Sequence, residues 1–557
     1  MASGDDNLVF LPLGGVGEIG MNLALYGFGP ERARKWIMVD CGVTFAAEEH
    51  LPGIDLILPD ISFIEDERDN LLAIFLTHGH EDHLGAVPDL WPRLKAPVYA
   101  TPFTARLLAA KLMENRGQAD ISINEVPPGE ALSLEPFEVE FVSMAHSIPE
   151  TSAIAIKTPA GTVLHTADWK IDPDPVAGPV MDEARLRQLG DQGLRAVICD
   201  STNALRDGTS PSEADVGRAL AEVMADAKAR VVVTCFASNV ARIRSIALAA
   251  AENDRQVVLV GRAMHRVTGV ARDCGYLDGV PEFLDDDAFG YLPRDKVVLI
   301  CTGSQGEPRA ALTRIAGERH PTIDLSPGDR VIYSARVIPG NDREVGRVLN
   351  ALIRRGIEVI TDRTHMIHVS GHPRRGELEQ FYDMVRPHAV IPVHGEAAHL
   401  SAHADLVRAR GIDDVIVAYN GDIVRLAPGP LEKVDDAPAG RLFKDGRVIE
   451  HEEAPTVRAR RSLAYAGAIA ISLTLEATGD LATDPEIVLL GLPELTEDGE
   501  AFSDLVLDAV EGAVDAFPRA RRRSPSQVKD TVRRSVRSAV ADAWGKKPNC
   551  EVLIHQV

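Results

Sequence analysis

The stretch LLAIFLTHGHEDHLG, Leu71 to Gly85, constrains this chain more than any other. Its first half is almost free of polarity, and a short apolar run of that kind suits a strand covered on both faces. Its second half sets His78, His80, Asp82 and His83 within six positions. Imidazole and carboxylate together suit zinc or manganese, and a strand end is a rigid mount for them. The pattern predicts a metal site at the end of a buried strand.

One cluster holds only part of such a centre, so further ligands are expected at other strand ends. His146 follows the apolar run of FVSMAH, Asp168 follows TVLHTA, and His394 closes VIPV. Together with the cluster they supply ligands for two metals, with Asp168 the natural bridging carboxylate. A pair of cations about 3.5 to 4 Å apart suits in-line attack on a phosphodiester or a carbonyl. No thiolate belongs to the set, which favours hydrolysis over a closed structural zinc site.

At 557 residues the chain exceeds what one core supports, since single cores stop growing near roughly 250 to 300 residues. Two or three domains are expected. From about residue 8 to 205, short β-rich runs alternate with turns, and from about 230 to 361 strand and helix alternate strictly, as in a parallel α/β sheet. The last hundred or so residues read as a small α+β domain. The N-terminus shows no leader pattern and no apolar segment nears the roughly 20 residues of a membrane span, so a cytoplasmic protein with no membrane partner is expected. The six scattered cysteines form no CxxC pair and read as reduced.

A net charge of −24 excludes a protein that coats nucleic acid with a broad basic face. A polyanionic substrate must therefore be captured locally. Basic residues do gather late, between Pro518 and Ser538, where a solvated helix face and RNA contact are both open readings.

Two glycine-containing stretches bear on ligand capture. GVGEIG, Gly15 to Gly20, fits a dinucleotide-binding spacing, but MNLALYGF continues as strand where that motif needs a helix, so a tight loop beside the site is expected. HVSGH, His368 to His372, sets two histidines and a serine around a glycine, a composition suited to phosphate oxygens or to ordinary loop hydrogen bonds. Ser238 and Asn239, at a strand-to-helix turn, offer free amides of the same use.

Asp40 in VDCG, HGHEDH, His146, Asp168 and His394 together resemble the metallo-β-lactamase hydrolase superfamily. The interposed α/β segment followed by HVSGHP and PVHGE resembles its β-CASP branch. LPLGGVGEIGMN, THGHEDHLGA, FASNVAR, CTGSQGEP and ARVIPGN are similar to the bacterial ribonuclease J family, over about residues 8 to 450.

The resemblance implies an α/β fold: a metallo-β-lactamase αββα sandwich over 8–205 and 363–448, an inserted parallel α/β β-CASP domain over 206–362, a linker over 449–462, and a C-terminal α+β domain over 463–557. It implies one zinc on His78, His80 and His146, a second on Asp82, His83 and His394, and Asp168 bridging, with manganese an alternative. Asp40 would stand behind the ligands and orient them. A metal-bridging hydroxide would attack phosphorus, with His372 contacting the scissile phosphate or protonating the leaving oxygen and Asp200 orienting it. Ser238, Asn239, His368, Val369, Ser370, Gly371 and His372 match the positions that hold a phosphate.

The activity implied is 5′-to-3′ exonuclease and endonuclease action on RNA in maturation and decay, with preference for a 5′-monophosphate end. Homodimers or homotetramers, proteins of an RNA-degradation complex, and a structural calcium near Asp55 and Asp445 are also implied. Three other readings stay open: a DNA-directed β-CASP nuclease, a small-molecule hydrolase of this fold, and a scaffold that has kept the fold without activity. The inserted segment and HVSGH argue against the second, and the intact ligand set against the third.

Overall fold

The apolar run ahead of the histidines forms the strand Leu71–Leu76 in a computed structural model. The structure describes residues 6–45, 51, 53–114, 121–338, 340–518 and 524–557. Lys35–Val39 and Val98–Ala100 flank this strand, both parallel to it, the setting that demands apolar side chains on both faces. It belongs to an eight-stranded sheet ordered Glu432–Asp436, Asp422–Ala427, Asn7–Gly14, Leu23–Gly29, Lys35–Val39, Leu71–Leu76, Val98–Ala100 and Ile123–Glu125.

A second sheet of seven strands runs Asp414–Val415, Ala389–Val393, Leu194–Asp200, Gly161–His165, Ser152–Thr158, Phe137–Ser143 and Ala131–Leu134. Phe10, Tyr26, Val39 and Phe75 of the first sheet form one apolar layer with Phe141, Ile154, Val163, Ile198 and Ile391 of the second. Leu186, Phe381, Tyr382 and Leu406, on three helices, seal the outer face of the second sheet. Burying each such side chain contributes on the order of 2 kcal/mol and holds the two sheets face to face.

After Asp200 the chain leaves this sandwich and builds a separate parallel sheet ordered Gln256–Val260, Val297–Cys301, Val231–Thr234, Arg330–Tyr333 and Glu358–Ile360. Helices cover both its faces: Val216, Leu220 and Ile243 on one, Leu312, Val348 and Leu352 on the other. The chain then returns through Ala389–Val393, which lies parallel to Leu194–Asp200 with Val393 opposite Asp200. That register delivers Asp200 and His394 to the same edge.

The chain divides into two compact units, Met1–Thr44 with Leu58–Arg441 and Phe45–Ile57 with Leu442–Val557. In the second unit the strands Glu486–Leu490, Ala468–Leu475 and Asn549–Gln556 pack against helices Phe502–Ala516 and Pro525–Trp544. Val528, Val532, Val536 and Val540 recur at helical spacing and are buried. Of the late basic residues, Arg533 lies 3.0 Å from Glu551, and Lys529 pairs with the same carboxylate. Arg519 and residues 521–523 lie outside the described residues. The segment 449–462, expected as a linker, carries most of the strand Val448–His451 and the start of the helix Pro455–Ala466, whose Val457 is buried.

His403 is buried between the second sheet and its helices, with Nε2 2.7 Å from the Tyr382 hydroxyl and Nδ1 2.9 Å from that of Ser201. Burial pushes it down to about 4, with Asp200 partly opposing. Between the sheets His165, 2.8 Å from the Tyr26 hydroxyl, is likewise pushed to about 4 by burial, with Asp40 partly opposing. Unfolding returns both rings to an ordinary value near 6.5, so between about 4 and 6.5 the unfolded chain binds protons that the folded chain refuses. The stability tied to each, on the order of 3 kcal/mol, is present above about 6.5 and lost as pH falls through about 4. Melting temperature is expected to drop over that window, and His403→Gln to flatten the drop; equal slopes in a calorimetric pH series would refute the assignment.

Candidate metal centre

The turn after Leu76 is shaped by three backbone segments that close on it. Asn22 and Cys41 donate their N–H groups to the carbonyls of Asp82 and His83, and Val43 donates to Glu81. Gly42 is obligatory here, because a Cβ would stand 1.7 Å from the Asp82 carbonyl oxygen. Gly15, Gly17 and Gly20 of GVGEIG all have positive φ, and the Gly15 carbonyl accepts the His394 N–H at 2.7 Å. That loop is therefore part of the mount of a site residue, and a strand follows it at Leu23–Gly29.

Two sets of side chains converge. His78, His80, His146 and Asp168 can bring one ligand atom each within 4.8 Å of the others, and Asp82, His83, Asp168 and His394 can do the same. Asp168 belongs to both. Its Oδ2 lies 3.7 Å from His78 Nε2, 3.2 Å from His83 Nε2 and 3.6 Å from His146 Nε2, and its Oδ1 lies 3.2 Å from His394 Nδ1. Asp168, Asp200, His372 and His394 form a third such group. Among the described residues no group of this kind occurs elsewhere.

Partners behind the ligands set which ring nitrogens face inward. Asp40 Oδ2 lies 2.7 Å from His83 Nδ1, so Nε2 is left toward Asp168. Asp40 also accepts from the Thr77 hydroxyl, which in turn lies 3.0 Å from His78 Nδ1. The Gly371 carbonyl accepts from His146 Nδ1 at 2.6 Å, leaving Nε2 toward His80. A Cβ on Gly371 would lie 2.6 Å from that ring, so the approach requires glycine. Asp40 and His394 both hold positive φ, strain of a kind that persists where the surroundings over-determine the backbone.

The donor set fits divalent cations. Asp168 Oδ1 and His394 Nε2 are buried without a hydrogen-bond partner. Burial pushes His78 and His146 well below the usual histidine range and His80 to about 4, so these rings are neutral and carry lone pairs. His83 and His394 behave oppositely. Burial opposes their protonation, but Asp168 and neighbouring carboxylates outweigh it and raise both, His394 to about 10. Bound cations would take the place of those protons.

Beside this pocket His372 Nδ1 lies 2.8 Å from Asp200 Oδ2. Burial opposes the charge on both, yet each stabilises the other: His372 is raised and Asp200 held well below the carboxylate range. Thr202 donates to Asp200 Oδ1 at 2.7 Å and to the His394 carbonyl at 3.1 Å. Thr77, Asn22 and Thr202 were not singled out from sequence, since hydroxyl and amide residues beside strand ends carry no spacing signal of their own.

The phosphate-loop residues are distributed unevenly. Ser370 Oγ accepts from Asn203 Nδ2 at 2.9 Å, which also donates to the His372 carbonyl. Val369 turns its side chain into the apolar core, so only its backbone is free to meet a ligand. The Asn239 carboxamide oxygen caps the helix Val240–Glu252 by accepting from the Arg242 N–H, and Ser238 precedes it. Arg242 of that helix donates to the Ile367 carbonyl at 3.1 Å and so ties the helix to the loop. Of the expected calcium ligands, Asp55 accepts from the Gly446 N–H, and Asp445 pairs with Arg460.

An αββα sandwich with a histidine and aspartate pocket at one edge, interrupted by a parallel α/β module, defines a metallo-β-lactamase-fold hydrolase of the β-CASP class. Family models agree segment by segment: the metallo-beta-lactamase superfamily over residues 31–197, the ribonuclease J beta-CASP domain over 228–352, a Zn-dependent metallo-hydrolase RNA specificity domain over 356–418, and the ribonuclease J C-terminal domain over 455–557. The chain is 53% identical to ribonuclease J of Sinorhizobium meliloti, over 99% of this chain and 98% of that one. It is 38% identical to that of Mycolicibacterium smegmatis, covering 96% and 95%, and 34% identical to that of Thermus thermophilus, covering 98% and 94%. The chain belongs to the ribonuclease J family.

Proposed function

We propose that this chain is a two-metal phosphodiesterase that degrades RNA 5′ to 3′ from a 5′-monophosphate end, cleaves it internally, and serves RNA maturation and decay. One observation carries the reading: the pocket of two ligand sets sharing Asp168 lies against the HVSGH loop through the bond from His146 to Gly371. Ribonuclease J relatives over the whole chain support RNA as the substrate.

His78, His80 and His146 would hold one cation and Asp82, His83 and His394 the other, with Asp168 between them. Zinc or manganese there would supply Lewis acidity and an activated water. Asp40 keeps His83 in one tautomer and, through Thr77, orients His78. His368, Ser370, the backbone of Val369 and Gly371, and the turn at Ser238 and Asn239 position a phosphate. Asp200 holds the His372 proton on the ring, and His372 delivers it to the leaving oxygen.

Among the described residues no helix is long and apolar enough to cross a membrane. A cytoplasmic setting, dimers or tetramers, and contact with proteins of a degradation complex complete the reading. Exposed Val488, Leu490 and Leu553 on the C-terminal strands agree with assembly through that unit. The test compares matched single-stranded RNA and DNA carrying 5′-monophosphate, 5′-triphosphate or 5′-hydroxyl ends, with zinc or manganese. Monophosphorylated RNA should be degraded fastest, to mononucleotides; equal cleavage of DNA would move the chain to the DNA-directed branch.

A further inference from the structure

In the loop His368–His372 the one charged ring, His372, is already paired with Asp200, and His368 is neutral. Burial, with Arg242, Arg336, Lys170 and Arg206 adding to it, holds His368 well below the histidine range. Two of those four cations are already neutralised. Arg242 is fully buried against Glu213, with contacts of 2.5 and 2.9 Å, and Lys170 lies 2.6 Å from Asp172.

Arg336 and Arg206 are different. Neither has a carboxylate ion pair among the described residues, and the same holds for Arg374. Asn203 links the three segments that carry them. Its Oδ1 accepts from Arg336 at 3.0 Å, its carbonyl accepts from the Arg206 N–H at 2.8 Å, and its backbone bridges that of Arg374. The Asn203 amide reaches the other way, to Ser370 Oγ and the His372 carbonyl. One asparagine thus fastens three guanidinium-bearing segments to the phosphate loop. Arg374 Nε is buried without a partner, and burial with the charges of Arg206 and Arg374 depresses Arg336, which only the exposed Asp362 relieves.

Arg336 and Arg374 are half-buried, so solvent does not fully screen their repulsion, and an anion between them and the exposed Arg206 would relieve it. A terminal phosphate monoester fits, because near neutral pH it carries almost two charges where an internal diester carries one. Guanidinium is the cation that meets such oxygens two at a time.

We propose that Arg206, Arg336 and Arg374 form the counter-charge for the 5′-monophosphate of the RNA and set the preference for that end over a 5′-hydroxyl. This rests on the proposed ribonuclease reading. The measurement is kcat/KM on 3′-labelled single-stranded RNA that differs only in a 5′-monophosphate or a 5′-hydroxyl, for the wild type, Arg336→Gln, Arg336→Lys and the double variant Arg206→Gln with Arg374→Gln. The ratio between the two ends is expected to fall about tenfold or more in Arg336→Gln and in the double variant, and to recover in part in Arg336→Lys. A role confined to folding would lower both rates and leave their ratio unchanged, and that outcome overturns the assignment. A wild-type preference that persists in every variant overturns it alone. A wild type with no end preference, or none of this RNA cleaved, overturns the proposed function together with it.

Discussion

Replacing His80 and Asp82 together by alanine is expected to abolish RNA cleavage, by at least about 10³-fold, with little change in the fold. The pair removes one ligand from each half of the centre: His80 Nδ1 lies 3.0 Å from His78 Nε2, and Asp82 Oδ2 lies 3.4 Å from His394 Nε2. Metal Lewis acidity supplies several kcal/mol of transition-state stabilisation, and each 1.36 kcal/mol is a factor of ten. Both side chains are only half-buried, unlike His78 and Asp168, so the sandwich tolerates their loss. Rates on labelled RNA, bound metal per chain by elemental analysis, and thermal melting together check the result. Full activity, or two metals still bound, would sink the ligand assignment.

The second large effect belongs to His372. His372→Ala should lower kcat by about 10² to 10⁴-fold with KM changed far less, the usual yield of a positioned proton donor. Asp200→Asn gives the sharper signature. The carboxylate raises the histidine, so its removal lowers the pH at which the ring gives up its proton. Because the ring must be protonated to act, the alkaline fall of kcat should move to lower pH in the variant. A pH profile unchanged by Asp200→Asn would assign the proton to another group.

The sequence made the metal pocket unusually legible, for a physical reason. His78, His80, Asp82 and His83 lie together in the chain, and His146, Asp168 and His394 each terminate or closely follow an apolar run. What escaped notice depends on sheet order. Thr77 matters because Asp40 lies across from the end of the neighbouring strand, and Asn22 because its loop closes over Asp82. Nothing local says that Gly371 will touch a ring 225 positions away. Side-chain direction was equally hidden: Val369 points into the core, and Asn239 spends its oxygen on a helix cap. Within 449–462, apolar Val457 anchors the start of a helix that no periodic run announces.

The pairing of Ala389–Val393 beside Leu194–Asp200 has a consequence for biosynthesis. A ribosome-bound chain that has emerged only as far as Asp200 already carries His78, His80, His146 and Asp168, yet lacks His394 and the loop that touches His146. The strand Asp422–Ala427, which must pair with Asn7–Gly14, arrives later still. The two halves of the sandwich therefore close around the cutting site only after Ala427 has been made. A site gathered from both ends of the sandwich cannot be assembled by any shorter N-terminal piece of the chain.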